Sequence, residues 1–234
     1  MSSASRSPTG IEVQSAPAGE HDCAPPEQGV KNAPVASVPQ RHLTEQGRER
    51  KQQILDAAEA LFAARGYGQT RIIDICDAAG VAKGLLYWYF DTKESLFAEL
   101  VRSTRQQLRR AQAAAMDPDA DALTRIRQGT EASVRYMADH RAFFALLEVE
   151  GTDAALGEVL EESSALYLSD AKKVIAEAID EGLIPADDID LLALGVLGSV
   201  SHYTHFHRSG RIDLPVEQVA EFVGRWVVRG LGGC

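Results

Sequence analysis

The stretch TRIIDICDAAGVAKGLLYWYF, residues 70–90, decides the fold that we expect for this chain. Apolar residues recur at i, i+3, i+4 and i+7 from Ile72 to Ala79, and Thr70 stands before them as a candidate N-cap. Gly80 then offers a residue that turns at positive φ, after which a helical period resumes up to Phe90. The stretch therefore predicts two short helices joined by a tight turn, which is the helix-turn-helix arrangement.

The second of these helices has an outer face that is small, basic and aromatic. With about 100° between successive residues, Gly84 and Trp88 lie opposite Leu86. A glycine in mid-helix costs about 1 kcal/mol relative to alanine, so Gly84 indicates that another surface approaches the backbone there. The residues that flank this face are Val81 and Leu85 on one side and Lys83 and Tyr87 on the other.

A further helix is expected directly after this stretch. Asp91 and Glu94 form a D-x-x-E version of the capping box, which predicts the helix start. Lys93 falls in the first turn, where a cation opposes the helix dipole, and an external anion such as a DNA phosphate would explain it. The alternative is that Lys93 is a solvated surface lysine.

Four motifs together resemble the DNA-binding domain of the TetR (tetracycline repressor) family: T-x-I-x-D-I, A-A-G-V, K-G-x-L-Y-x-Y-F and K-E-S-L-F. The match runs without a gap from about Arg48 to Leu100. The resemblance implies that the helix at residues 81–87 enters the major groove of DNA. It also implies phosphate contacts from Thr70, Arg71, Tyr87, Tyr89 and Lys93.

Three positions depart from the usual family pattern. Ala82, Leu85 and Ile73 stand where serine, threonine and arginine are frequent, so fewer side chains can form hydrogen bonds to base edges. Apolar contact with thymine methyl groups and DNA shape would then carry more of the sequence preference. The expected DNA-binding residues are Thr70, Arg71, Ala82, Lys83, Gly84, Leu85, Tyr87, Trp88, Tyr89 and Lys93.

We expect an all-α protein in three parts. Residues 1–42 hold six of the nine prolines and no apolar period, which is typical of a disordered arm. Residues 43–100 form the helix-turn-helix DNA-binding domain, with the motif itself at 71–90, and 101–234 form a helical effector-binding and dimerisation domain. Helices are predicted at 44–65, 94–115, 119–139, 141–150, 153–181, 187–207 and 215–229 besides the two in the motif.

The charge is distributed unevenly between these parts. Residues 41–110 carry 12 Lys and Arg against 9 Asp and Glu, whereas residues 111–234 carry 10 against 21. The formal net charge of −10 therefore hides a basic segment. An acidic body repels the phosphate backbone and leaves one face attractive, which favours a single docking orientation on DNA.

The last two predicted helices have more apolar surface than one helix face can bury, which indicates that they pack against a partner. The run LLALGVLGSV, residues 191–200, is apolar nearly all round, and a valine stripe follows on the final helix. Both could be inner core helices of one chain, but the resemblance implies that this pair forms a four-helix bundle with a second copy. The expected dimer residues are Leu191, Leu194, Gly195, Gly198, His202, Val219, Val223 and Trp226.

The resemblance also implies that the middle helices enclose a pocket for a small-molecule effector. The candidate lining is largely apolar with phenol hydroxyls, which suits an organic ligand. For each residue, plain core packing is the competing interpretation. The candidates are Tyr136, Met137, Phe143, Phe144, Leu147 and Tyr167.

The cysteines, clustered histidines and clustered aspartates do not predict a disulfide, metal or catalytic site. Cys23, Cys76 and Cys234 are widely spaced, so neither a disulfide framework nor a zinc cluster is expected, and Cys76 falls on a buried stripe. The histidines at 202, 205 and 207 favour packing over a metal site. The aspartates at 187, 188 and 190 favour helix capping. No cofactor, signal peptide or membrane span is predicted, and a reducing cytoplasm fits.

Two functional hypotheses follow. The first is a homodimeric, cytoplasmic transcriptional regulator, expected to be a repressor that an effector releases from a palindromic double-stranded DNA operator. The second is an enzyme or metal-binding protein that carries a helix-turn-helix. No nucleophile, base and orienting group occur at a recognisable spacing, and no glycine-rich phosphate loop is present, so the first hypothesis is favoured.

Overall fold

The computed structural model describes residues 44–150 and 154–232, and over these ranges all regular secondary structure is α-helical, as predicted. The predicted arm at 1–42, residues 151–153, Cys23 and Cys234 lie outside the described residues. The helices are α1 (Glu45–Arg65), α2 (Ile72–Ala79), α3 (Lys83–Tyr89), α4 (Lys93–Ala115), α5 (Ala122–Asp139), α6 (Arg141–Glu150), α7 (Ala154–Asp180), α8 (Ile189–Arg208) and α9 (Val216–Gly230).

A hydrophobic cluster lies beneath the helix-turn-helix formed by α2 and α3. It joins the inward faces of α1 to α4, with Phe62, Ile75, Leu86 and Phe97 all fully buried. The rings of Phe62 and Phe97 meet edge to face with their centroids 5.9 Å apart. This core fixes the orientation of α3 relative to the other three helices.

The same cluster contains side chains from much later in the sequence. Phe143 and Leu146 of α6 and Leu156 of α7 are buried in it, because α6 packs against α1. The four N-terminal helices therefore do not close their own core without α6 and α7.

A second hydrophobic cluster surrounds α5, which contacts α4, α7, α8 and α9. Val134 of α5, Ile175 of α7, Val200 of α8 and Val223 of α9 are each almost completely buried there. The segment from α5 to α9 is thus a helical body built around one central helix.

Two predicted helix starts need correction. Arg71, not Thr70, is the N-cap of α2, and Thr92 rather than Asp91 is the N-cap of α4, where its hydroxyl accepts from the backbone N–H of Ser95. The predicted glycine turn is confirmed, since Gly80 adopts the left-handed conformation at φ 63°. Capping by Asp188 at the start of α8 is also confirmed.

Candidate nucleic-acid interface

The outer face of α3 has the composition that the sequence predicts. Leu86 is 0% exposed and holds the helix on the core, while Trp88 is 48% exposed on the opposite side. Tyr87 and Leu85 are exposed beside it. A Cβ atom built on Gly84 meets no heavy atom within 4 Å among the described residues, so packing within the chain does not require this glycine. Close approach of an external surface explains it better.

Positive charge on this face is not neutralised by its own helix, because α3 contains no acidic residue. The ammonium of Lys83 lies 5.6 Å from the ring centroid of Tyr87, a distance at which cation–π attraction orients the lysine along the exposed face. Lys83 and Tyr87 therefore form one basic, aromatic flank.

Arg71 lies at the entrance to α2 and is accessible. Its guanidinium donates to the carboxylate of Asp74, with Nη2 2.7 Å from Oδ1, and 75% of the side chain remains exposed. The hydrogen bond from Arg71 lowers the pKa of Asp74 to about 2. Because a guanidinium has five N–H donors, this pairing leaves donors for a phosphate.

The predicted phosphate contact of Thr70 is wrong. The residue is 1% exposed, and its hydroxyl lies 2.9 Å from the carbonyl oxygen of Gly66 and 3.3 Å from that of Leu61. The single O–H donor is thus used within the chain. Thr70 stabilises the turn that leaves α1 rather than the contact with DNA.

Tyr89 and Lys93 are engaged in contacts within the chain as well. The Tyr89 hydroxyl donates to the carbonyl of Gly47 at 2.9 Å, and the Lys93 ammonium donates to the carbonyls of Tyr67 and Thr70 at 2.9 and 3.2 Å. The ammonium of Lys93 also lies 4.1 Å from the Tyr67 ring centroid. These contacts join α3 to α1 and α4 to the α1–α2 loop, so the phosphate contacts of both residues stay predictions.

The exposed face of α8 and α9 contains most, but not all, of the predicted dimer residues. Leu194 is 53% exposed, and Leu191, Gly195, Gly198, His202 and Trp226 are exposed too. The prediction that Val219 and Val223 lie in the dimer interface needs correction. Both are buried against the chain's own helices, and Val223 is 0% exposed. The sequence reading missed Phe222, which is exposed one helical turn before Trp226.

The six predicted effector residues are divided between the two hydrophobic clusters. Phe143 and Leu147 pack with the helix-turn-helix core, Tyr136, Met137 and Tyr167 pack within the body, and Phe144 contacts both. The Tyr136 hydroxyl donates to the carbonyl of Thr104 at 3.2 Å, and burial raises its pKa to about 12.

A cavity of about 580 Å³ lies elsewhere, on the outer face of α8 and α9. Its wall includes Tyr203 and Phe206 of α8, Arg211 and Ile212 of the following loop, and Trp226 of α9. None of the six predicted effector residues lines it. No pattern in the sequence alone indicated this cavity, because the loop residues Arg211 and Ile212 complete it.

The remaining polar residues show no metal cluster within the described ranges. His205 contacts Glu148 at 2.9 Å and His207 contacts the carbonyl of Leu214 at 3.0 Å, so two of the three clustered histidines have other partners. Cys76 is buried, and burial raises the pKa of its thiol, which fits a core residue. None of the described helices is long and apolar enough to cross a bilayer.

Sequence comparison identifies relatives of the helix-turn-helix and of the whole chain. Residues 54–100 match the family model described as bacterial regulatory proteins, tetR family. The transcriptional repressor KstR2 of Mycobacterium tuberculosis is 30% identical over 181 residues, which cover 74% of this chain and 88% of KstR2. The transcriptional regulator YhgD of Bacillus subtilis is 26% identical, over 78% of this chain and 97% of YhgD.

Solved structures share the fold at lower sequence identity. A TetR-family regulator from Syntrophomonas wolfei superposes with a TM-score of 0.72 at 21% identity, covering 80% of this chain and 96% of that one. The regulator FadR of Bacillus subtilis, solved in complex with stearoyl-CoA, gives 0.69 at 22% identity and covers 76% and 98%.

Proposed function

The chain belongs to the TetR family of bacterial regulatory proteins and is a DNA-binding transcriptional regulator, and from this premise we propose that it is a cytoplasmic homodimeric repressor. The dimer binds a palindromic operator through α3 and leaves it when a small-molecule effector binds the body. The relatives are regulators, which supports this function over an enzyme or metal-binding protein that carries a helix-turn-helix.

One observation carries the DNA-binding role of α3. The helix is held by a fully buried Leu86, and its opposite side presents Gly84, Trp88 and the Lys83–Tyr87 flank. A short helix whose backbone is accessible at a glycine can lie deep in the major groove, where aromatic and apolar side chains meet thymine methyls. Lys83 and Arg71 supply the attraction to phosphates.

The dimer follows from the exposed apolar face of α8 and α9. Leu191, Leu194, Phe222 and Trp226 would otherwise remain in water, and a twofold axis through this face would present two copies of α3 to the same DNA. Two half-sites about 34 Å apart would then be read together.

Contacts made by α4 offer a route from the body to α3. Arg105 and Arg109 both pair with Asp170 of α7, at 3.2 and 3.1 Å, while Lys93 at the other end of α4 holds the loop before α2. An effector accommodated near Tyr136 and Tyr167 would shift α7 against α4 and change the spacing of the two α3 helices. Coupling of this kind typically changes operator affinity 5- to 150-fold.

The test is footprinting of the full chain on DNA flanking its own coding sequence, with and without candidate effectors. The proposal expects a palindromic footprint with half-sites one helical turn apart and its loss on addition of one ligand class. Protection of a single half-site at all protein concentrations would contradict the dimer, and no sequence preference at all would contradict the operator.

A further inference from the structure

The C-terminal half of α4 carries more positive charge than its neighbours neutralise. Residues 100–116 contain four arginines and no aspartate or glutamate, although the whole chain has a formal net charge of −10. We propose that the junction of α4 with α7 binds the phosphate or pyrophosphate group of a small molecule. This binding requires neither DNA nor the second copy, so the inference goes beyond the proposed function and does not depend on it.

One carboxylate faces three cations at this junction. Oδ2 of Asp170 on α7 lies 3.2 Å from Nη2 of Arg105 and 3.1 Å from Nε of Arg109, both on α4. Its Oδ1 lies 3.9 Å from the ammonium of Lys173. Burial lowers the pKa of Arg105, and the nearby charge of Arg109 lowers it further. The single charge of Asp170 therefore leaves the cluster with a positive surplus.

Guanidinium groups with accessible donors stand at the outer edge of the cluster. Arg109 meets Asp170 through Nε and is 57% exposed, so its terminal N–H groups remain accessible. Arg110 is exposed, and among the ion pairs of the described residues none involves it. An open groove of about 370 Å³ has both arginines, Gln106 and Ala113 in its wall. Paired N–H groups of arginine match phosphate oxygens in geometry and in charge.

The position of the cluster favours a small molecule over DNA. Lys93 in the first turn of α4 contacts the segment before α2, and Arg109 lies about 24 Å further along the helix at 1.5 Å per residue. DNA held by α3 would therefore remain at the other end of α4. None of the residues proposed for the dimer belongs to α4 or α7. A phosphate group with nearly two negative charges suits the surplus that Asp170 leaves.

Calorimetry of the full chain with pyrophosphate tests the site. Pyrophosphate is the probe because it presents phosphate oxygens without an apolar group or a base. The titration is made in about 0.1 M sodium chloride, in which attraction between exposed charges is screened beyond about 10 Å. The proposal expects saturable binding under these conditions. Absence of saturable binding would overturn it.

Exposed arginines are substituted so that the fold is retained, which thermal unfolding verifies. Arg109→Gln and Arg110→Gln should each weaken pyrophosphate binding about tenfold, as for loss of one charge-assisted contact. Arg141→Gln, at an exposed arginine of α6, is the matched control and should leave the affinity unchanged. Unchanged affinity in both α4 variants, or equal weakening in the control, would contradict the site.

Asp170→Asn should have the opposite effect, because the carboxylate and the ligand compete for the same guanidinium groups. Its removal should strengthen pyrophosphate binding about threefold, an effect of the size of one exposed ion pair. The same substitution removes contacts between α4 and α7. If the arginines served only the fold, binding would therefore weaken or stay the same, and either result would overturn the proposal.

DNA as the natural occupant of the cluster is tested separately. Arg110→Gln should leave the salt slope of DNA binding unchanged, whereas a slope lower by about one per subunit would place Arg110 at a DNA phosphate and overturn the proposal. Operator binding of the unsubstituted chain is measured in parallel. Its failure would contradict the proposed function alone, since pyrophosphate binding is measured without DNA.

Discussion

Helix α3 and the α8–α9 face both expose a tryptophan to solvent to a nearly equal extent, 48% for Trp88 and 46% for Trp226. Their surroundings differ. Trp88 lies beside a glycine and a lysine on a helix of seven residues, whereas Trp226 belongs to a broad apolar face on helices of 20 and 15 residues. Exposure alone therefore does not identify a partner. Accessible backbone with positive charge indicates DNA, and a wide apolar surface indicates protein.

The largest effect should separate the two sides of α3. Leu86→Ala removes a fully buried side chain and should lower the free energy of unfolding by about 3 kcal/mol. Its neighbour Leu85 is exposed, so Leu85→Ala should change stability by less than about 0.5 kcal/mol. Urea titration followed by circular dichroism measures both. Equal destabilisation by the two substitutions would place the wrong face of α3 on the core.

A similar pair tests the α8–α9 face. Leu194→Glu introduces a charge twice into the proposed twofold interface and should weaken dimerisation on the order of a hundredfold. Leu166 on α7 is also about half exposed, so Leu166→Glu is a matched control that should leave the dimer intact. Sedimentation velocity reports both. A dimer disrupted by Leu166→Glu but not by Leu194→Glu would move the interface to α7.

The helical body should also respond to high pH, through Tyr136. Its raised pKa means that the folded chain keeps the phenol proton after the unfolded chain has lost it. This contribution to stability is present below pH 10 and is lost as the pH rises to about 12, and it amounts to about 3 kcal/mol. Tyr136→Phe should flatten that part of the pH profile of unfolding. An unchanged profile in Tyr136→Phe would assign the alkaline loss to other groups.

The smallest effect concerns the salt dependence of operator binding. Lys83→Ala should lower the slope of log affinity against log salt by about one per subunit, because one phosphate contact releases fewer counterions. Tyr87→Ala should weaken binding with little change of slope, since a phenol is neutral. Lys173→Ala, an exposed lysine on α7, is the control. Fluorescence anisotropy at several salt concentrations measures all three, and equal slopes for Lys83→Ala and the unsubstituted chain would remove Lys83 from the phosphate contacts.

Periodicity in the sequence predicts helices and their apolar faces well, because burial repeats with the helical turn. It places Leu86 inside and Trp88 outside on α3, and it finds the segments of the body. The same signal does not say what covers an apolar stripe. The pattern predicts Val223 and Leu194 in one interface, yet Val223 is buried in the hydrophobic cluster of the chain's own body and Leu194 faces solvent.

Polar residues are harder to predict, since a donor can satisfy either a ligand or the chain itself. The sequence predicts Thr70, Tyr89 and Lys93 at phosphates, and in the structure each of them also donates to a backbone carbonyl of the chain. Those carbonyls belong to residues that are distant in sequence or in a neighbouring turn. Only the tertiary arrangement brings donor and acceptor together.

The burial of Phe143, Leu146 and Leu156 beneath α1 has a consequence for dividing the chain. A fragment that ended near Leu100 would leave an open apolar socket where these three side chains now sit. Such a fragment would aggregate through this exposed apolar surface and would be poorly soluble. An exchange of the DNA-binding part with that of another protein would have to include α6 and the start of α7. The DNA-binding part and the helical body of this regulator therefore share one hydrophobic core and cannot be separated at Leu100 without exposing it.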